Sequence, residues 1–131
     1  MKKELIISSK IENLRLVEKF IDEISNDCKL NSEKYGNFLI ATLEGANNAI
    51  VHGNKLKEEL EVKIKAEVNE KDIVITIEDQ GKGFDYNNIP DPTAPENIEN
   101  VSGRGIFLMK KLSDNVEFEK NGSIVKIYFN L

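Results

Sequence analysis

Residues 73–85 read IVITIEDQGKGFD. The first six alternate as a strand does, and the strand runs directly into Asp79-x-Gly81-x-Gly83. Asp79 has the parity of Ile73, Ile75 and Ile77, so the alternation turns its side chain toward their face and away from that of Glu78. A carboxylate on the apolar side of a strand needs a partner. Two readings stay open. Asp79 is a turn residue that accepts nearby backbone N–H groups, or it is an acceptor inside a pocket. In the second reading Gly81 and Gly83 leave bare backbone beside it, as a planar base with an exocyclic amine would require.

Working outward, residues 61–68 alternate as cleanly. Val62, Ile64, Ala66 and Val68 share one face, while Glu61, Lys63, Lys65 and Glu67 share the other. With Asn69 and Glu70 as turn residues, 61–68 and 72–79 form an antiparallel hairpin. One apolar and one charged face predict a sheet with helices on one side and water on the other. Upstream, residues 3–8 predict a strand. Ser9 and Glu12 have the spacing of a capping box, opening a helix over 10–27 that carries Ile11, Leu14, Val17, Phe20, Ile21 and Ile24. Asn31 or Ser32 caps a second helix to about His52, where Gly53 and Asn54 suit a stop. Downstream, all three prolines fall in residues 84–100, a long loop of the kind that is either functional or disordered. A third helix over 104–113 follows, then strands over 115–120 and 123–130 joined at Asn121-Gly122. The order β-α-α-β-β-loop-α-β-β is α+β, which argues against a dinucleotide-binding reading of any G-x-G here.

The 131 residues predict a single domain over 1–131, large enough to bury about two-thirds of the unfolded chain's surface. A net charge of −5 argues against direct nucleic-acid binding. No apolar run approaches a membrane span, and the first residues lack a signal-peptide core. Cys28 is the only cysteine, so it forms neither an intrachain disulfide nor a thiolate cluster; it reads as a small apolar residue near a helix end. A cytoplasmic location is the expectation.

Three further groups carry chemistry. Glu44 and Asn48 lie four apart in the second helix and share a face. They offer a base and a hard oxygen ligand suited to Mg2+, or else an ordinary polar stripe. Gly103-Arg104-Gly105 enters the third helix, either as an anion site at its N-terminus or as a hinge. Ser123 has the parity of Val125, Ile127 and Phe129, so it either points inward near Asp79 or flanks a turn. His52 is read as a charge or hydrogen bond at a helix C-terminus. There is no G-x-x-x-x-G-K-[ST] loop.

Together, EGANNA at 44–49, DQGKGF at 79–84 and SGRGIF at 102–107 resemble the N, G1 and G2 boxes of one superfamily. It unites gyrase, the ninety-kilodalton heat-shock chaperone, histidine kinases and the mismatch-repair ATPase. The short chain, with Glu44 four residues before Asn48, looks most like its anti-sigma-factor serine kinases, and NGSIVKIYF at 121–129 is similar to that family's closing strand. The resemblance implies a Bergerat-type ATP-binding fold: a two-layer α/β sandwich with a mixed, mostly antiparallel sheet and helices on one face. It implies ATP and Mg2+ as cofactors, with Asn48 holding the metal and Asp79 accepting from the adenine amine. Gly81 and Gly83 would allow close approach, and residues 84–102 would form the ATP lid. Gly103 and Gly105 would wrap the phosphates, with Arg104 a candidate phosphate ligand. Glu44 would be the catalytic base. The implied activity is a serine/threonine protein kinase that sequesters a sigma factor and phosphorylates a small antagonist (anti-anti-sigma) protein; a homodimer is left open. The alternative is a non-catalytic ATP-binding module that controls a partner by nucleotide-dependent binding.

Overall fold

The computed structural model describes residues 1–82 and 101–131. Strand β1 (Lys2–Ser8) passes through a 3-10 turn (Ile11–Asn13) into α1 (Leu14–Cys28), followed by α2 (Ser32–Asn48) and a π-helical turn (Ala49–Gly53). Strands β2 (Glu61–Val68) and β3 (Asp72–Glu78) come next, then α3 (Val101–Leu112), β4 (Asn115–Glu119) and β5 (Ile124–Asn130). The sheet order is β1-β2-β3-β5-β4, and every ladder among the described residues is antiparallel. The expected α+β order holds, and the expected mostly antiparallel sheet is antiparallel in all its described strands.

The period-2 pattern decides which face is covered. In β3, Ile73, Ile75 and Ile77 are buried; across the ladders Ile75 faces Ala66 on β2 and Ile127 on β5. Branched residues stacked across neighbouring strands form the floor of the core. Val17, Phe20, Ile21 and Ile24 from α1, Phe38, Ala41 and Ala46 from α2, and Ile106 and Met109 from α3 close over it. Phe38 meets Phe129 edge to face, with ring centroids 5.1 Å apart.

Both hairpins form where the turn residues placed them. Asn69 Oδ1 accepts the N–H groups of Lys71 and Asp72 at 2.7 and 2.9 Å, tying the β2–β3 turn. The β4–β5 turn runs through Lys120, Asn121 and Gly122, all at positive φ. Asn31 caps α2 through the Lys34 N–H at 2.9 Å.

The capping box at Ser9 and Glu12 does not form. Ser9 is buried, and its hydroxyl donates to the Leu60 carbonyl at 2.8 Å, which leaves it to accept from Asn54 rather than from a helix N–H. Lys10 takes the N-cap position without a side-chain bond, so the helix enters through the weaker 3-10 turn. A buried hydroxyl with tertiary partners is no longer free to cap. α3 also begins three residues earlier than expected, which puts Gly103 and Gly105 inside its first turns rather than ahead of it.

Ile75 contacts both flanking strands at the centre of the sheet, so Ile75→Ala should cost about 2–5 kcal/mol of stability in urea unfolding, with an unchanged denaturant slope. A loss under 1 kcal/mol would mean that β3 is not the sheet's centre.

Candidate functional site

A narrow cleft with about 40 Å³ of free volume opens between α2, the π-helical turn, α3 and the ends of β3 and β5. Its apolar wall comes from Ala49, Ile77, Met109, Phe118 and Val125, and its polar groups are Asn48, His52, Asp79 and Ser123. A slot of mostly apolar lining with a few fixed polar atoms suits a flat heterocycle.

Asp79 follows the last residue of β3 and keeps the inward parity of its isoleucines. Its backbone N–H donates to the Ser123 carbonyl at 2.9 Å, and its Oδ1 accepts the Gly81 N–H at 2.8 Å. Asp79 thus organises its own turn and also lines the cavity. The backbone around it is packed beyond what any side chain allows. A Cβ on Gly53 would collide with the Asp79 carboxylate, and one on Gly81 would collide with the Gly53 carbonyl. Burial pushes the Asp79 carboxyl above the ordinary carboxylate range; the Gly81 N–H pulls it back in part, and Glu78 adds to the rise.

Asn48 closes the other end. Its side-chain Oδ1 and Nδ2 are buried and have no hydrogen-bond partner among the described residues. Such orphaned atoms are costly unless something else meets them. Gly105 lies directly over them: a Cβ there would stand 2.9 Å from Asn48 Nδ2, 3.1 Å from Asn48 Oδ1 and 3.1 Å from Glu44 Oε2. So Glu44, Asn48 and Gly105 converge, as their spacing on two helices could not by itself establish. Glu44 is half-buried and stands beyond the cavity lining, one helical turn before Asn48. Among the described residues no three His, Cys, Asp or Glu side chains gather as a metal cluster. The orphaned Asn48 oxygen beside bare Gly105 backbone fits Mg2+, which takes few protein ligands and fills its shell with phosphate and water.

Gly103 is buried and Arg104 exposed on α3. Ser123 lines the cavity and also flanks the turn, its hydroxyl donating to the Lys120 carbonyl at 2.9 Å. His52 lines the cavity, but desolvation, helped by Lys55, holds its pKa below the ordinary value. Of its two expected roles at the helix end, charge or hydrogen bond, this disfavours the charge. Gly83 and residues 84–100 of the expected lid lie outside the described residues. Sequence reasoning missed Gly53, read only as a helix stop, and the walls Met109 and Phe118, which no periodicity marks as facing a ligand.

The model of the histidine kinase-like ATPase domain matches residues 7–129. The chain belongs to the histidine kinase-like ATPase domain family. Its relatives there are anti-sigma factors and serine kinases. It is 35% identical over 121 residues to an anti-sigma F factor of Clostridium beijerinckii, covering 85% of this chain and 75% of that protein. To a serine-protein kinase RsbW of Bacillus pumilus it is 26% identical over 129 residues, covering 92% and 80%. To one of Staphylococcus aureus it is 34% identical over 92 residues, covering 65% and 58%. No helix among the described residues is long and apolar enough to cross a membrane.

The raised pKa of Asp79 gives a signed expectation. The folded state holds the proton more tightly than the unfolded chain. Its stabilising contribution is thus complete below the ordinary carboxylate value and is lost as pH rises through the raised one. An amine donor favours the ionised form, so ATP affinity should fall as pH drops through that raised value. Calorimetry of the parent and Asp79→Asn across this range should show the extra fall in the parent only; parallel profiles would remove Asp79 from the contact.

Proposed function

We propose that this protein is an ATP-dependent serine/threonine protein kinase that acts as a cytoplasmic anti-sigma factor. It sequesters a sigma factor and phosphorylates a serine of a small antagonist protein, working as one copy or as a homodimer. One observation carries the mechanism: the orphaned amide of Asn48 and the Glu44 carboxylate meet under Gly105, beside a cavity that ends in Asp79. The family and the named relatives support the activity, and this geometry supports the roles.

Asp79 accepts from the adenine amine while Ile77, Ala49, Met109 and Val125 enclose the ring. Asn48 would hold Mg2+, which supplies charge neutralisation on the phosphates when bound. Gly103 and Gly105, in the first turns of α3, would wrap the same anions, and the exposed Arg104 would join them. Glu44 then acts on the incoming serine. The serine oxygen forms a bond to the γ-phosphorus, and the bond to the β–γ bridging oxygen breaks. ADP leaves, and the serine proton passes to the Glu44 carboxylate. The transition state is loose, so Glu44 acts chiefly by orienting the hydroxyl and taking its proton late.

Glu44→Gln keeps the size of the side chain and one acceptor. ATP affinity should stay within about twofold, while transfer of labelled γ-phosphate to the antagonist should fall by about 10²–10⁴-fold, the usual loss for a positioned base. Transfer at the parent rate would show that Glu44 is not the base. A parent chain that binds ATP but labels no protein of its native lysate would favour the non-catalytic regulatory module.

A further inference from the structure

The segment between α2 and β2 holds the nucleotide loop from behind. Asn54 is 1% exposed, and its amide is fully engaged with three separate parts of the chain. Nδ2 donates to Ser9 Oγ at 2.8 Å and to the Glu61 carbonyl at 3.0 Å, and Oδ1 accepts the Gln80 N–H at 2.7 Å. The Asn54 backbone N–H donates to the Ala49 carbonyl at 2.8 Å, which closes the π-helical turn. Gln80 answers from the other side, its Oε1 accepting the Glu61 N–H at 2.7 Å.

The residues after Asn54 are strained. Lys55 and Leu56 are both left-handed, at φ 54° and 60°, a conformation that a branched side chain such as leucine seldom adopts. The Leu56 N–H donates to the Ile50 carbonyl at 2.9 Å and holds the pair in place. A widened helix turn, a fully bonded buried amide and two strained residues therefore occur in one run, ending against Asp79 through Gly53. Each is locally unfavourable or demanding, and all three serve one placement.

We infer that Asn54 is a positioning residue for Asp79. The Gln80 N–H belongs to the peptide that joins Asp79 to Gln80. Ser123 fixes the peptide before Asp79, and Asn54 fixes the one after it. Between them the backbone of Asp79 has one orientation, so its carboxylate stands at one place in the cavity. Asn54 does not line the cavity and acts through Asp79. The inference rests on the reading of Asp79 as the adenine acceptor.

The test is calorimetric titration of Mg-ATP into the full-length parent, Asn54→Ala, Asp79→Asn and the double variant. Ile24→Val, a core change in α1, serves as a control for stability alone. Asn54→Ala should weaken ATP binding by about tenfold, the scale of one positional hydrogen bond, and should add under about twofold in the Asp79→Asn background. Ile24→Val should lose stability and keep the parent affinity. Parent-like affinity of folded Asn54→Ala, or an equal tenfold loss with and without Asp79, overturns the inference. If Asn54→Ala does not fold, Gln80→Ala decides. It is an exposed change that releases the same loop from Glu61, and an affinity loss of about threefold that vanishes in the Asp79→Asn background supports positioning, whereas parent affinity rejects it. A parent that binds no ATP instead overturns the nucleotide reading itself, and with it the object of this inference.

Discussion

Two stretches of backbone, at Gly53 and Gly81, meet closely enough that neither could carry a Cβ, and the carboxylate of Asp79 is pressed between them. The neighbouring elements are arranged around that approach. The α2 helix widens into a π turn to deliver Gly53, and β3 ends one residue early to deliver Asp79. A carboxylate in this position is desolvated, which raises its pKa, and it keeps one N–H from Gly81. It gains most from a donor that arrives through the cavity, which is the physical basis of the proposed contact with an amine-bearing base.

The second end of the site depends on the packing of α3 across α2. Gly105 permits that packing directly above Asn48 and Glu44, and the result is a buried amide with no hydrogen-bond partner among the described residues. An orphaned amide costs stability, and a protein keeps one where a ligand satisfies it. The sheet explains why the two ends can be held at a fixed separation. Ile75 and Ile77 of β3, locked between β2 and β5, carry the loop at one end and the helices above it. The proposed phosphate side and the proposed base side thus share one floor.

Much of this was legible in the chain. Period-2 isoleucines gave β3 its face and carried the parity through to Asp79, and Asn69 and Asn121-Gly122 marked both hairpins. Glu44 and Asn48 were legible as a pair because helical spacing is local. Their meeting with Gly105 was not, since it depends on how α3 crosses α2. Ser9 looked like a cap because its sequence neighbours fit one, yet its partners, Leu60 and Asn54, lie about 50 residues away. Asn54 was hidden for the same reason: a Gly-Asn pair after a helix has an ordinary explanation, and only the fold reveals that its amide is spent on Ser9, Glu61 and Gln80. The π turn left no trace, because the residues of 49–53 suit an α-helix equally well.

The central claim is that Asp79, fixed between two glycines, reads the amine of adenine. Calorimetry with Mg-ATP and Mg-GTP on the same preparation tests it most directly, since guanine places an acceptor where adenine places its amine. The account predicts ATP binding at least about tenfold tighter than GTP, the scale of losing a charge-assisted hydrogen bond and leaving two acceptors opposed. Equal affinities for the two nucleotides would contradict it.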